Sequence, residues 1–199
     1  YAFNARSWEL KKTESVDVMD AVGSNIRVDT RGSEVMRILP RNNDNVNEEW
    51  ISDKTRHACD GLRRQRLDRP YLRKNGKLTP VKWPEIISVV AQKLNDTDGK
   101  KMAAIAGNLA DCESMMALKD LMTNLGSNNL DCRQDSGAVG DVRASYIFNT
   151  TIAGIDQADA ILIIGCNPRW EAPVLNARIR KRYLAGQINI GLIGENLDL

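Results

Sequence analysis

Histidine is almost missing from this sequence, and its scarcity excludes chemistry. The single one, His57, stands beside Arg56 in a basic stretch and reads as a surface residue. With it there, no Ser-His-Asp set can be assembled. Cysteine is sparse too. Cys59, Cys112, Cys132 and Cys166 are widely separated and none forms a C-x-x-C pair. That spacing argues against a zinc or iron–sulfur site built from this chain alone, and against a disulfide framework. The expectation is four free thiols in a reducing compartment. There is no H-E-x-x-H, no G-x-x-x-x-G-K-[ST] and no G-x-G-x-x-G, so the common zinc-protease, phosphate-loop and dinucleotide fingerprints are absent. No apolar run approaches the roughly 20 residues that span a bilayer, and no signal-peptide pattern opens the chain. The two sequons, at Asn95 and Asn149, therefore read as chance matches. Asp17 and Asp20 form a carboxylate pair three apart, but nothing nearby completes a cation's ligand set.

What is present is a soluble, globular composition: 42% hydrophobic and 27% charged. The 199 residues suffice for one domain with a sizeable core or for two small ones. The chain opens on Tyr1 and not on Met, which suggests processing or excision from a longer precursor. A net charge of +2 conceals an asymmetry: from Lys54 to Lys82, ten basic residues face only Asp60 and Asp68. Such a segment could meet nucleic acid, an anionic lipid surface or an acidic protein face, or be a solvated linker. Its only aromatic neighbours, Tyr71 and Trp83, make poor stacking platforms, which ranks nucleic acid last.

Residues 1–15 read as irregular, with Phe3 and Trp8 as anchors onto something larger. Residues 26–29 and 35–38, around a turn at 30–33, predict a β-hairpin ended by Pro40. Trp50 and Ile51 are expected to re-enter a core, and Asn75-Gly76 marks a turn. Trp83-Pro84-Glu85 starts a helix whose buried stripe would be Ile86, Ile87, Val90 and Leu94. From Met102 the pattern alternates strand and helix. A strand over 102–106 precedes a helix capped by Asp111, with Met115, Leu118, Met122 and Leu125 inward. A second strand is expected at 129–133, loop at 134–137 and a short helix at 142–148. Residues 160–164 (AILII) then suit a strand buried on both faces. A helix from Pro173, with Leu175, Ile179 and Tyr183 on one face, leads to a last strand at 188–193. Strand–helix–strand alternation implies parallel pairing. Ligands of an open parallel sheet lie beyond the strands' carboxyl ends, where Gly165-Cys166-Asn167-Pro168 would sit. Read alone, that loop is a structural turn or a ligand loop. With only about three helices for a sheet that needs both faces covered, part of the sheet is expected to be covered by another chain or by a continuation.

Several stretches together are more specific than any one: WEL at 8–10, KTESVDV at 12–18, DAVGSNI at 20–26, EVMRILPR at 34–41, NEEWISDKTR at 47–56, NTTIAG at 149–154 and NARIRK at 176–181. In this combination, over nearly the whole chain, the sequence closely resembles the large iron–sulfur subunits of mitochondrial respiratory complex I (NADH:ubiquinone oxidoreductase). The matching region is the first part of their molybdopterin-oxidoreductase-like C-terminal half. The resemblance implies an α/β fold: a small β-hairpin module followed by a partial doubly wound parallel sheet of the molybdopterin-oxidoreductase type. It implies a degenerate iron–sulfur hairpin module over 1–60, a basic connecting segment over 61–82 and a partial dinucleotide-binding-like domain over 83–199.

In the wider molybdopterin family that module holds a [4Fe–4S] cluster on four cysteines. Laid on this sequence, their positions fall on Asp17, Asp20, Ser24 and, near the fourth, Ser52. Cluster irons need thiolates there, so the resemblance implies vacated metal positions and no metal. The Gly165, Asn167 and Pro168 loop resembles the one that approaches the molybdopterin dinucleotide, and is expected to be a relict, with no cofactor bound and no catalytic residue. Iron–sulfur clusters are expected in a missing N-terminal half or a partner chain. The expected partners are other peripheral-arm subunits, including a cluster-bearing half of the same subunit, with no nucleic acid and no direct membrane span. The implied place is the matrix side of the mitochondrial inner membrane. The implied role is a non-catalytic scaffold for NADH-to-ubiquinone electron transfer. The alternative is a standalone dinucleotide-binding oxidoreductase domain using the Gly165 loop.

Overall fold

The computed structural model describes residues 4–132, 140 and 142–196. In chain order the strands and helices are β1 (Lys11–Val16), β2 (Asn25–Arg31), β3 (Glu34–Pro40), α1 (Asp53–His57), β4 (Tyr71–Lys74), β5 (Lys77–Pro80), α2 (Trp83–Asn95), β6 (Ala104–Ile105), α3 (Cys112–Asn124), β7 (Leu130–Asp131), β8 (Ala160–Ile164), α4 (Pro168–Glu171), α5 (Pro173–Leu184) and β9 (Asn189–Ile193). They fall into two compact units. One joins residues 1–65 to 142–199, and the other is residues 66–141.

In the first unit, β1, β2 and β3 form an antiparallel sheet. The hairpin of β2 and β3 is the one expected. The additional strand β1 occupies a stretch read as irregular, because its six residues are all exposed and carry no inward apolar signal. Phe3 lies outside the described residues, and Trp8 is exposed, with the Arg6 guanidinium 5.8 Å from its ring centroid. Asp29 on β2 has no exposed surface. It accepts from Arg27 Nε at 2.8 Å and from Arg37 Nε at 2.7 Å. A buried carboxylate is tolerable only when paired in this way. The loop after β3 is held by Asn47, also buried. Its Oδ1 accepts from Asn25 N–H at 2.9 Å, and its Nδ2 reaches the carbonyls of Arg41 and Trp50, each at 3.0 Å. Ile51 is buried as expected, but Trp50 is exposed.

The same unit contains the parallel pair β8–β9, with α5 between the two strands in sequence. Val174 and Ile179 of α5 are buried, Leu175 is half-buried, and Tyr183 is exposed. Arg178, nearly buried, ties α5 to the β-module. It donates to Asp156 Oδ2 at 2.7 Å and to the Asp44 carbonyl at 2.6 Å. Lys181 Nζ donates to Glu48 Oε1 at 2.6 Å. That hydrogen bond, more than any other influence, holds the Glu48 carboxyl below its ordinary range. Residues 134 and 133 positions apart in sequence are thus clamped together. The strand β8 departs from expectation. Ile163 is buried, but Leu162 is 58% and Ile164 is 62% exposed, as is Ile193 beside them at 57%. One face of this parallel pair is covered and the other is open, because two strands and one helix supply only half of a three-layer sandwich.

In the second unit, β4 and β5 form a hairpin within the stretch read as a basic connector. Asn75 and Gly76 both take positive φ, 49° and 79°, which is what a two-residue type I′ turn requires. The strands were hidden because they are only four residues each and their charges, Arg73, Lys74 and Lys77, gather about the turn and leave no apolar face. β6 and β7 pair in parallel around α3. Asp111 caps α3, its Oδ1 accepting from Ser114 N–H at 2.7 Å. Met122 is buried, and Met115, Leu118 and Leu125 are half-buried, as the spacing predicts. Gly99 is required by close approach: a Cβ there would lie 2.3 Å from the Leu125 carbonyl oxygen. The stripe of α2 is a correction. None of its residues is buried, and Ile87 and Val90 are exposed. A helical stripe becomes a core only where a second layer meets it. The expected loop at 134–137 lies outside the described residues, and 142–148 holds only a 3-10 turn at Arg143–Ser145.

Candidate functional site

Two places were singled out by sequence. The first is the turn between β1 and β2 with the start of α1. The backbone closes on itself, Asp17 N–H donating to the Ser24 carbonyl at 2.8 Å. Gly23 makes the turn at φ 70°. Asp17, Ser24 and Ser52 are all buried. Asp17 Oδ1 accepts from Met19 N–H at 3.1 Å, and Oδ2 accepts from the Thr55 hydroxyl at 2.7 Å. Thr55 Oγ1 lies 2.8 Å from Ser52 Oγ. Because Thr55 spends its proton on Asp17, Ser52 is the donor in that contact. Ser52 Oγ in turn accepts from Thr55 N–H at 3.1 Å, capping α1. Asp17 and Ser52, far apart in sequence, are therefore joined in one network through Thr55.

Asp20 and Ser24 complete the four positions differently. Asp20 Oδ1 accepts from Val22 N–H at 3.0 Å. Its Oδ2 and the Ser24 hydroxyl are buried without a partner among the described residues. Burial pushes the Asp20 carboxyl above its ordinary range. The neighbouring Asp17 charge adds to this, while Val22 N–H and Lys54 oppose it. The donor set does not fit a [4Fe–4S] cluster: every side chain at the four positions offers oxygen where iron needs thiolate. Cys59 is buried, and its Sγ is directed to the Arg56 carbonyl at 3.7 Å. Among the described residues no three His, Cys, Asp or Glu side chains gather as metal ligands. Thr55 was missed by sequence reasoning, although Ser52-x-x-Thr55 at a helix start was the available signal.

The second place is the end of the β8–β9 pair. Gly165 turns with φ 59°, and its N–H donates to the Ile193 carbonyl at 2.8 Å, extending the ladder. A cleft of 380 Å³ opens there, lined among others by Gly165, Asn167, Glu171, Gly194 and Glu195. Asn167 caps α4, its Oδ1 accepting from Arg169 N–H at 3.1 Å, and Pro168 is buried in the first turn. The Asn167 N–H donates to Glu171 Oε1 at 2.7 Å. An amide that could meet a phosphate is thereby already taken by a carboxylate of the same loop, and Glu195 adds a second negative charge to the cleft wall. These residues do not fit the pyrophosphate of a dinucleotide cofactor. Sequence reasoning found Gly165, Asn167 and Pro168 but not Glu171, four residues past Asn167.

Both places fall within regions that match known families. Residues 66–199 match the family model for molybdopterin oxidoreductase. Residues 10–60 match that for the NADH-ubiquinone oxidoreductase NDSU1/NuoG-like 4Fe-4S domain. The mitochondrial NADH-ubiquinone oxidoreductase 78 kDa subunit of Neurospora crassa is 57% identical over all of this chain and 28% of its own length. That of Candida albicans is 56% identical over the same shares. A NADH-quinone oxidoreductase subunit of Rickettsia conorii is 54% identical over 98% of this chain and 29% of its own length. The chain thus spans under a third of the curated relatives it matches. No helix among the described residues is long and apolar enough to cross a membrane. The chain belongs to the molybdopterin oxidoreductase family, and within it is similar to the large subunits of NADH-ubiquinone oxidoreductase.

Proposed function

We propose that this chain is a non-catalytic structural segment of the peripheral arm of respiratory complex I, on the matrix side of the mitochondrial inner membrane. It scaffolds the cluster-bearing part of the subunit while electrons pass elsewhere. The observation that carries this reading is the Asp17–Thr55–Ser52 network. Hydrogen bonds between oxygen side chains join the two arms of a module that a cluster would otherwise cross-link. Asp17, Asp20, Ser24 and Ser52 are in this reading vacated ligand positions. The Gly165, Asn167 and Pro168 loop is a relict kept for folding, its anion site answered from within by Glu171. Module 1–60, connector 61–82 and domain 83–199 then share one role, and clusters belong to another part of the subunit or to a partner chain.

The test is metal and nucleotide content. The chain purified under anaerobic conditions is expected to carry neither iron nor molybdenum, and titration with guanine and adenine dinucleotides is expected to give no saturable heat. A stoichiometric cluster signal would overturn the first half of the reading. Tight dinucleotide binding would favour a standalone dinucleotide-binding oxidoreductase domain.

A further inference from the structure

We draw no further inference here: the strongest candidate, the open apolar face of the β8–β9 pair formed by Leu162, Ile164 and Ile193, is a bare sheet face, and nothing in the structure shows what covers it.

Discussion

Two aspartates of the β-module titrate in opposite senses, and each makes a prediction at the scale of a single residue. Burial pushes the Asp20 carboxyl up. Its contribution to stability is therefore fully present below the unfolded-state value and is lost as pH rises through the folded one. Asp20→Asn is expected to raise the melting temperature near neutral pH by a few degrees, and the gain should vanish in acid. Asp29 is the converse. Burial works to raise its carboxyl, but Arg27 and Arg37 outweigh it and hold the group below its ordinary range. Its contribution is present above the unfolded-state value and is lost as pH falls through the folded one. Asp29→Asn should cost about 2 kcal/mol or more at neutral pH and progressively less in acid, read from urea melts at stepped pH. Thr55→Val keeps the shape of its side chain but leaves Asp17 Oδ2 without its donor. A loss of about 1–3 kcal/mol is expected by the same measurement.

At the scale of elements, the parallel pairs and their intervening helices were legible because apolar spacing and turn residues agree there. Met115, Leu118, Met122 and Leu125 turned inward, and Gly165 turned the chain after β8. The elements that escaped lack that agreement. β1 has no buried face, and β4 and β5 are short and gather their charges, Arg73, Lys74 and Lys77, about the turn. Asp17, Asp20, Ser24 and Ser52 were singled out as a set only through the family resemblance, and Thr55 and Glu171 not at all, since each acts through a hydrogen bond that only the folded backbone creates. The clamp between α5 and the β-module was equally hidden, its partners lying far apart in sequence. Arg178→Ala leaves Asp156 and the Asp44 carbonyl without their shared partner, and should cost about 3 kcal/mol. Lys181→Ala, at an exposed pair, should cost under about 1 kcal/mol. Limited proteolysis is expected to release residues 41–50 early in the Arg178 variant alone.

At the scale of the whole chain, the layers are unequal to the apolar surface they present. Leu162, Ile164 and Ile193 open one face of the β8–β9 pair, and Ile87 and Val90 leave α2 uncovered. All four tryptophans, Trp8, Trp50, Trp83 and Trp170, are exposed. Single exposed apolar residues mean little, but a parallel pair with a bare face is uncommon because lone parallel strands do not hold against water. If the chain serves as a scaffold, those faces are closed by neighbouring protein, and amide exchange will register the closure. The amides of residues 162–164 and 192–193 are expected to exchange quickly in the isolated chain, where local opening costs little, and at least roughly tenfold more slowly in the assembled complex. The amides of residues 28–30, at the centre of a sheet anchored by buried Asp29, should be slow in both. Equal, slow exchange of residues 162–164 in the two states would show that β8 needs no neighbour, and would remove the whole-chain basis for reading this segment as part of a larger assembly.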